Sequence, residues 1–149
     1  MVKLGITSEN LQEIYSDPYI SVVAHDDRPF EPITHQLVKY VSAFIDGEFM
    51  GAFMVVQFSK TEIEIHSLLK KSAIKYSRLL GNEVIHFVFN MYKPLRITAH
   101  IIGGLNKAMN YVEKLGFSLE GIRRDGCVKN SKTTDIYTYG LTKKQWEKR

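Results

Sequence analysis

One cysteine, Cys127, stands alone in 149 residues, so no disulfide can close within the chain. A single thiol cannot build a multi-thiolate metal site, and its isolation fits a reducing compartment. No apolar run approaches the ~18 residues that span a bilayer, and Met1 to Tyr15 lacks the apolar stretch of a secretory signal. Repeats and low-complexity tracts are absent. These absences exclude collagen-like, coiled-coil and membrane-spanning classes and point to a cytoplasmic protein of one domain, residues 1–149.

What remains is ordinary for a packed domain: 44% hydrophobic and 24% charged residues. The net charge of +4 permits an anionic ligand but is a small excess for a nucleic-acid surface. Along the chain, ITSENLQEIYSDP predicts a first helix with Thr7 or Ser8 as its N-cap and Pro18 as its stop. YISVVA predicts a strand, and HDDRPFEPITH a loop. LVKYVSAFID, the Asp46-Gly47 turn and EFMGAFMVVQF form a hairpin signal, with TEIEIHSLL as a third strand. From Ile74 the period changes: Ser77, Gly81, Val84, Ile85, Val88 and Phe89 mark one helical stripe, closed by Pro94. LRITAHII predicts a strand and GLNKAMNYVEKLG a helix capped at Gly116. FSLEGIRRDGCV and TTDIYTYGLT complete the set as strands around a KNSKT loop. The order α-β-β-β-β-α-β-α-β-β describes an α+β domain with a mixed sheet.

Candidate chemistry gathers in a few places. LLKKSAIKYSRLLGNEV crowds Lys70, Lys71, Lys75 and Arg78 at the start of a helix. A helix N-terminus is already partly positive, so each cation there costs ~0.3–1 kcal/mol unless an anion arrives. Glu62, Glu64 and His66 share one face of their strand, where a carboxylate or imidazole can serve as a general base. His100 shares a face with Arg96 and Thr98, within reach of His66 if the two strands are neighbours. Two histidines without a carboxylate at set spacing make no metal signature, and no metal is expected. Cys127 lacks a nucleophile motif. Tyr76, Phe87, Phe89, Tyr92, Phe117, Tyr137 and Tyr139 fall at core spacing. The KKQWEKR end is expected to be solvated, with Trp146 packed back on the sheet.

YVEKLGFSLEGIRRD and DIYTYGLTKKQW resemble the C-terminal half of ribosomal-protein-type enzymes in the GNAT superfamily of acyl-CoA-dependent N-acetyltransferases. EIHSLL followed by a helix is similar to their central strand and cofactor helix, and the likeness runs from Val38 to Trp146. The sequence is also similar to short GNAT-like proteins of tailed bacteriophages, some described as head-assembly proteins. The resemblance implies a GNAT-like acyl-CoA N-acyltransferase fold, a mixed but mostly antiparallel sheet flanked by helices. It implies acetyl-CoA as cofactor, with the pantetheine arm between splayed strands and the pyrophosphate at a helix N-terminus. Leu68, Leu69, Lys70, Lys71, Ser72, Ala73, Lys75, Tyr76, Ser77, Arg78 and Asn106 would hold it. Glu64 and His66 would act as base, and Tyr111 as the acid that protonates the departing thiolate.

The likeness has departures. The family's phosphate signature, Gln/Arg-x-x-Gly-x-Gly/Ala, falls on Ser72 to Ser77, with Lys75 at the glycine and small Ser77 at the end. Its Asn and Tyr places hold Leu105 and Val112, while Asn106 and Tyr111 each stand one residue away. Two functions follow: an N-acetyltransferase acting on an amine, or a GNAT-fold assembly or binding protein without turnover, as in phage head morphogenesis. The implied partners are a CoA-type ligand, phage structural proteins and a second copy of the chain, with no nucleic acid and no membrane. The compartment would be the host cytoplasm if phage-encoded, or the virion.

Overall fold

The computed structural model describes residues 1–149. Its N-terminal part departs most from expectation. Val2–Ile6 form a strand, β1, ahead of the first helix, α1 (Leu11–Tyr15). Asn10, not Thr7 or Ser8, precedes α1, and its side chain makes no capping bond. Thr7 Oγ1 instead accepts from the Glu9 amide. YISVVA, expected as a strand, lies in a second helix, α2 (Pro18–Ala24). The Asp17 carboxylate accepts from the Tyr19 and Ile20 amides at 2.8 and 3.3 Å, and Pro18 occupies the first helical position. That capped start overrides the β-branched composition of the segment.

The hairpin signals hold. β2 (Val38–Ile45) and β3 (Glu48–Gln57) meet at Asp46 and Gly47, whose φ values of 49° and 84° give the twist of a tight turn. β4 (Glu62–Leu69) pairs antiparallel with β3. A 3₁₀ turn over Lys71–Tyr76 then leads into α3 (Ser77–Met91). The helical stripe therefore starts at Ser77, and Ile74 is left half-exposed in the turn. β5 (Arg96–Ile102), α4 (Asn106–Lys114), β6 (Ser118–Lys129), β7 (Lys132–Thr142) and α5 (Lys143–Glu147) complete the chain. The loop expected at KNSKT shrinks to Asn130 and Ser131, both at positive φ.

One sheet takes in all the strands, in the order β1-β2-β3-β4-β5-β7-β6. Only β4 and β5 run parallel, because the chain crosses over through α3 between them. Period-two alternation then sorts residues between two faces. One carries Val41, Phe53, Val55, Ile63, Ile65, Ile97, Tyr139 and Leu141 against α3 and α4, in a core of 21 buried residues. The other carries Tyr40, Ala52 and Leu68 under Ile14 of α1 and Ile20 of α2. That second cover stops short of β5 and β7, so the polar face of these strands stays open. Trp146 corrects the expectation for the C-terminal end: its ring stacks on Phe89 of α3 at 4.6 Å and meets His86 at 5.2 Å. Thr142 and Gln145 fix that approach with a reciprocal capping box.

The β6–β7 tip is tied to the end of α2. The Asp27 carboxylate accepts from the Asn130 and Ser131 amides, each at 2.7 Å, and Lys129 Nζ donates to the Val22 and His25 carbonyls. These bonds place Ala24 at the mouth of the cleft described below. No helix is long and apolar enough to cross a membrane.

Candidate active site

The parallel ladder between β4 and β5 is short. It joins Glu62, Ile63 and Glu64 to Arg96, Ile97 and Thr98, and then stops. Beyond it, β4 remains with β3 and β5 with β7, so the two strands diverge. Thr61 O accepts from Leu95 N and Arg96 N, which shows that odd-numbered residues of β4 turn their backbone groups toward β5. Past the fork, Ser67 and Leu69 therefore face a gap without a partner strand. A cavity of about 100 Å³ fills this fork, lined by Ile65, His66, Ser67, Ala99, His100 and Ile101, with α3 and α4 behind. An extended chain bearing amides can lie there as a strand lies on a sheet edge.

The open face of the fork carries a polar network. Glu64 Oε2 accepts from His66 Nε2 at 2.8 Å, and Glu64 Oε1 accepts from His100 Nε2 at 3.1 Å. The hydrogen bonds from His100 and then His66 hold the Glu64 carboxyl well below the usual carboxylate range, outweighing its partial burial. His100 Nδ1 lies 3.0 Å from Thr138 Oγ1 on β7. Beside them, Thr98 donates to Glu62 at 2.6 Å, and Arg96 clamps Glu120 while donating to Thr98. The Arg96–Glu120 pair lies over Gly140, where a Cβ would fall 2.2 Å from the guanidinium. Thr138 and Glu120 join this network without having been singled out in the sequence, and His100, considered there, was given no role. Strand periodicity put His100 on the right face, but nothing local reveals that β7 sits beside β5.

Tyr111 enters the fork from the opposite face. Its hydroxyl lies 3.5 Å from Ser67 Oγ, and burial pushes its pKa up to about 12. The Glu64–His66–His100 network and the Tyr111 phenol thus flank the slot from its two sides, although Tyr111 stands one residue from the place the resemblance assigns. Gly81 of α3 permits this approach, because a Cβ there would meet Tyr111 Oη at 2.6 Å and Leu115 Cδ1 at 2.8 Å. Gly81→Ala is expected to destabilise the fold by about 1 kcal/mol. The overpacking cost of roughly 1–3 kcal/mol exceeds the roughly 1 kcal/mol gained in helix propensity. Thermal unfolding checks this, and an unchanged or raised midpoint would refute the close approach.

The residues expected to hold a cofactor scatter by role. Leu68 is buried beneath α1 and α2, while Leu69 and Ala73 are buried in the main core. Lys70 is committed to Glu13 at 2.7 Å and lies over the Phe49 ring. Lys75 lies over Tyr76, and both share a shallow depression with Ser72, Asp46 and Glu48. Lys71 and Arg78 are exposed, Ser77 is half-buried as the first residue of α3, and Asn106 is exposed at the start of α4. Leu105 and Ala108, rather than Asn106, line the fork. Lys70 is therefore drawn away from the other cations, while Lys71 and Arg78 take part in no ion pair.

The fold as a whole has counterparts among solved structures. A spermidine N-acetyltransferase from Vibrio cholerae in complex with CoA and spermine superposes with a TM-score of 0.85 over 98% of each chain. The chain has the GNAT fold. Mutant forms of the spermidine/spermine N-acetyltransferase SpeG from Vibrio cholerae give 0.82 over 100% of this chain and 99% of theirs, and both proteins are 14% identical to it. A probable acetyltransferase at 23% identity gives 0.63 over 72% of this chain and 63% of its own. No family model and no curated protein matches the sequence. In GNAT-fold terms, β4 and β5 are the splayed strands and α3 is the helix that follows the first of them.

Proposed function

We propose that this protein is an acyl-CoA-dependent N-acetyltransferase that binds acetyl-CoA in the β4–β5 fork and acylates an amine arriving at the open face. The observation that carries the reading is the fork itself, with Glu64–His66 on one side and Tyr111 on the other. The bound acetyl-CoA would supply the thioester. Its pantetheine amides would meet the backbone groups of Ser67 and Leu69, and its phosphates would lie toward the turn before α3, where Lys71 and Arg78 carry no ion pair. His66, oriented by Glu64, would accept the proton of the ammonium, directly or through water. Tyr111, held protonated by burial, would donate to the departing sulfur. The acceptor is an amine, the class to which the spermine bound by one of the neighbours belongs.

A specific feature supports a second reading, a GNAT-fold assembly or binding protein without turnover. The phosphate side is a 3₁₀ turn with no glycine, its Ala73 is packed in the core, and Lys70 is engaged by Glu13. Isothermal titration with acetyl-CoA separates the two. Binding is expected. The double variant Lys71→Glu/Arg78→Glu should weaken it about tenfold at low salt and flatten its salt dependence. Folded protein that takes up no acetyl-CoA at millimolar concentration would overturn the acetyltransferase reading in favour of the second.

A further inference from the structure

We infer that His100, backed by Thr138, is a positioning residue that clamps Glu64 across the throat of the fork and so sets which nitrogen of His66 is free to take a proton. The inference rests on the reading of Glu64–His66 as the base. Its starting point is where the backbone ladder ends. Glu64 and Thr98 are the last paired residues of β4 and β5, and His100 lies two residues further on, on the same face. The Glu64–His100 bond therefore joins the two strands diagonally just where they begin to part. It is a side-chain link in place of the next backbone pair.

With both rings neutral, hydrogen-bond chemistry then assigns the protons along the chain. An ionised carboxylate only accepts, so both imidazoles donate Nε2–H to Glu64. Neutral His100 consequently presents Nδ1 as an acceptor, and Thr138 Oγ1, 3.0 Å away, donates to it. His100 and Thr138 are direct cross-strand partners on β5 and β7, so this contact follows from the register rather than from a flexible side chain. For His66 the same assignment leaves Nδ1 with an unused lone pair, in a ring that lines the cavity. Polarisation runs one way: Thr138 sharpens His100 as a donor, His100 fixes the Glu64 carboxylate, and Glu64 fixes His66. The other charged groups around Glu64 are already placed. Glu62 on its own strand takes Thr98, Arg96 on β5 takes Glu120 on β6, and Arg123 on β6 lines the outer rim.

The test reads the carboxylate and the rings directly, by NMR of the intact protein. Carbon-detected titration of Glu64 in wild type is compared with His100→Phe, which removes the donor, and His100→Gln, whose amide N–H can still reach the carboxylate. The Glu64 titration is expected to move up toward the usual carboxylate range in H100F and to stay near wild type in H100Q. Imidazole ¹⁵N shifts should show Nε2–H with a bare Nδ1 at both His66 and His100. An unmoved Glu64 titration in H100F, or an Nδ1–H on either neutral ring, would overturn the clamp. If H100F loses its folded spectrum, Thr138→Val decides: an upward move of Glu64 supports the relay, and none overturns it. Acetyl-CoA titration of the same wild-type sample keeps the two ideas apart, because a failure to bind sinks the acetyltransferase reading and leaves the carboxylate result standing.

Discussion

His66→Ala is expected to lower the rate of acetyl transfer to an amine by about 10²–10⁴-fold, the usual contribution of a positioned general base. The ring is half-buried at the mouth of the fork and takes no part in the main core, so the fold should survive its loss. Acetyl-CoA affinity should change little, since the backbone partners proposed for the ligand are those of Ser67 and Leu69. The measurement is a steady-state assay with CoA release as readout, alongside calorimetric binding of acetyl-CoA to the same variant. Loss of kcat with binding retained supports the assignment. A variant with wild-type turnover would show that the proton leaves by another route. Glu64→Gln should fall in the same direction, because a neutral amide no longer holds His66 in one tautomer with the strength of a carboxylate.

Gly51→Ala is expected to be the most damaging single-methyl change in the molecule. Gly51 has φ of +134°, a region closed to side chains, and a Cβ there would lie 2.4 Å from Leu68 O and 2.8 Å from Leu69 Cα. Those neighbours are backbone, not the movable end of a side chain. The position also follows the register shift in the β2–β3 pair at Ala43/Phe44. Backbone strain of roughly 1–3 kcal/mol and a clash of similar size add to about 2–6 kcal/mol. For a chain of this size each kcal/mol lowers the melting midpoint by about 2–4 °C, so a loss on the order of 10 °C is expected by calorimetry. A drop of less than about 2 °C would contradict the close packing of β3 on β4. Because Leu68 and Leu69 end the strand that forms one wall of the fork, acetyl-CoA binding should weaken with stability.

The fold and the candidate site are encoded over different ranges of the chain. The β2–β3 hairpin, β4, the α3 stripe and the Gly116 cap were legible because turn chemistry and hydrophobic period act over a few residues. The same local logic placed Glu62, Glu64 and His66 on one face of a strand before any neighbour was known. It failed for α2, where Val22, Val23 and Ile20 suggested a strand and the Asp17-Pro18 cap decided for a helix. β1 was missed because a five-residue strand at a chain end has almost no pattern of its own, and it exists by pairing with β2. Lys70 left the expected cation cluster for a tertiary reason as well. Glu13 lies 57 positions from Lys70 in the chain and meets it only because α1 packs over β4.

The residues alone thus determined an α+β domain, the run of antiparallel strands, the long helix after β4 and the placing of Glu64 and His66 on one face of β4. The crossover through α3 set the rest. It put β5 beside β4 for three residue pairs and then let them part, which opened the cavity and brought His100 to Glu64. It also stacked α4 behind the fork so that Tyr111, one residue from its expected place, still reaches Ser67. Local periodicity specifies which face a side chain takes; which strand lies alongside is a long-range choice, made by burying the apolar face of α3 against the whole sheet.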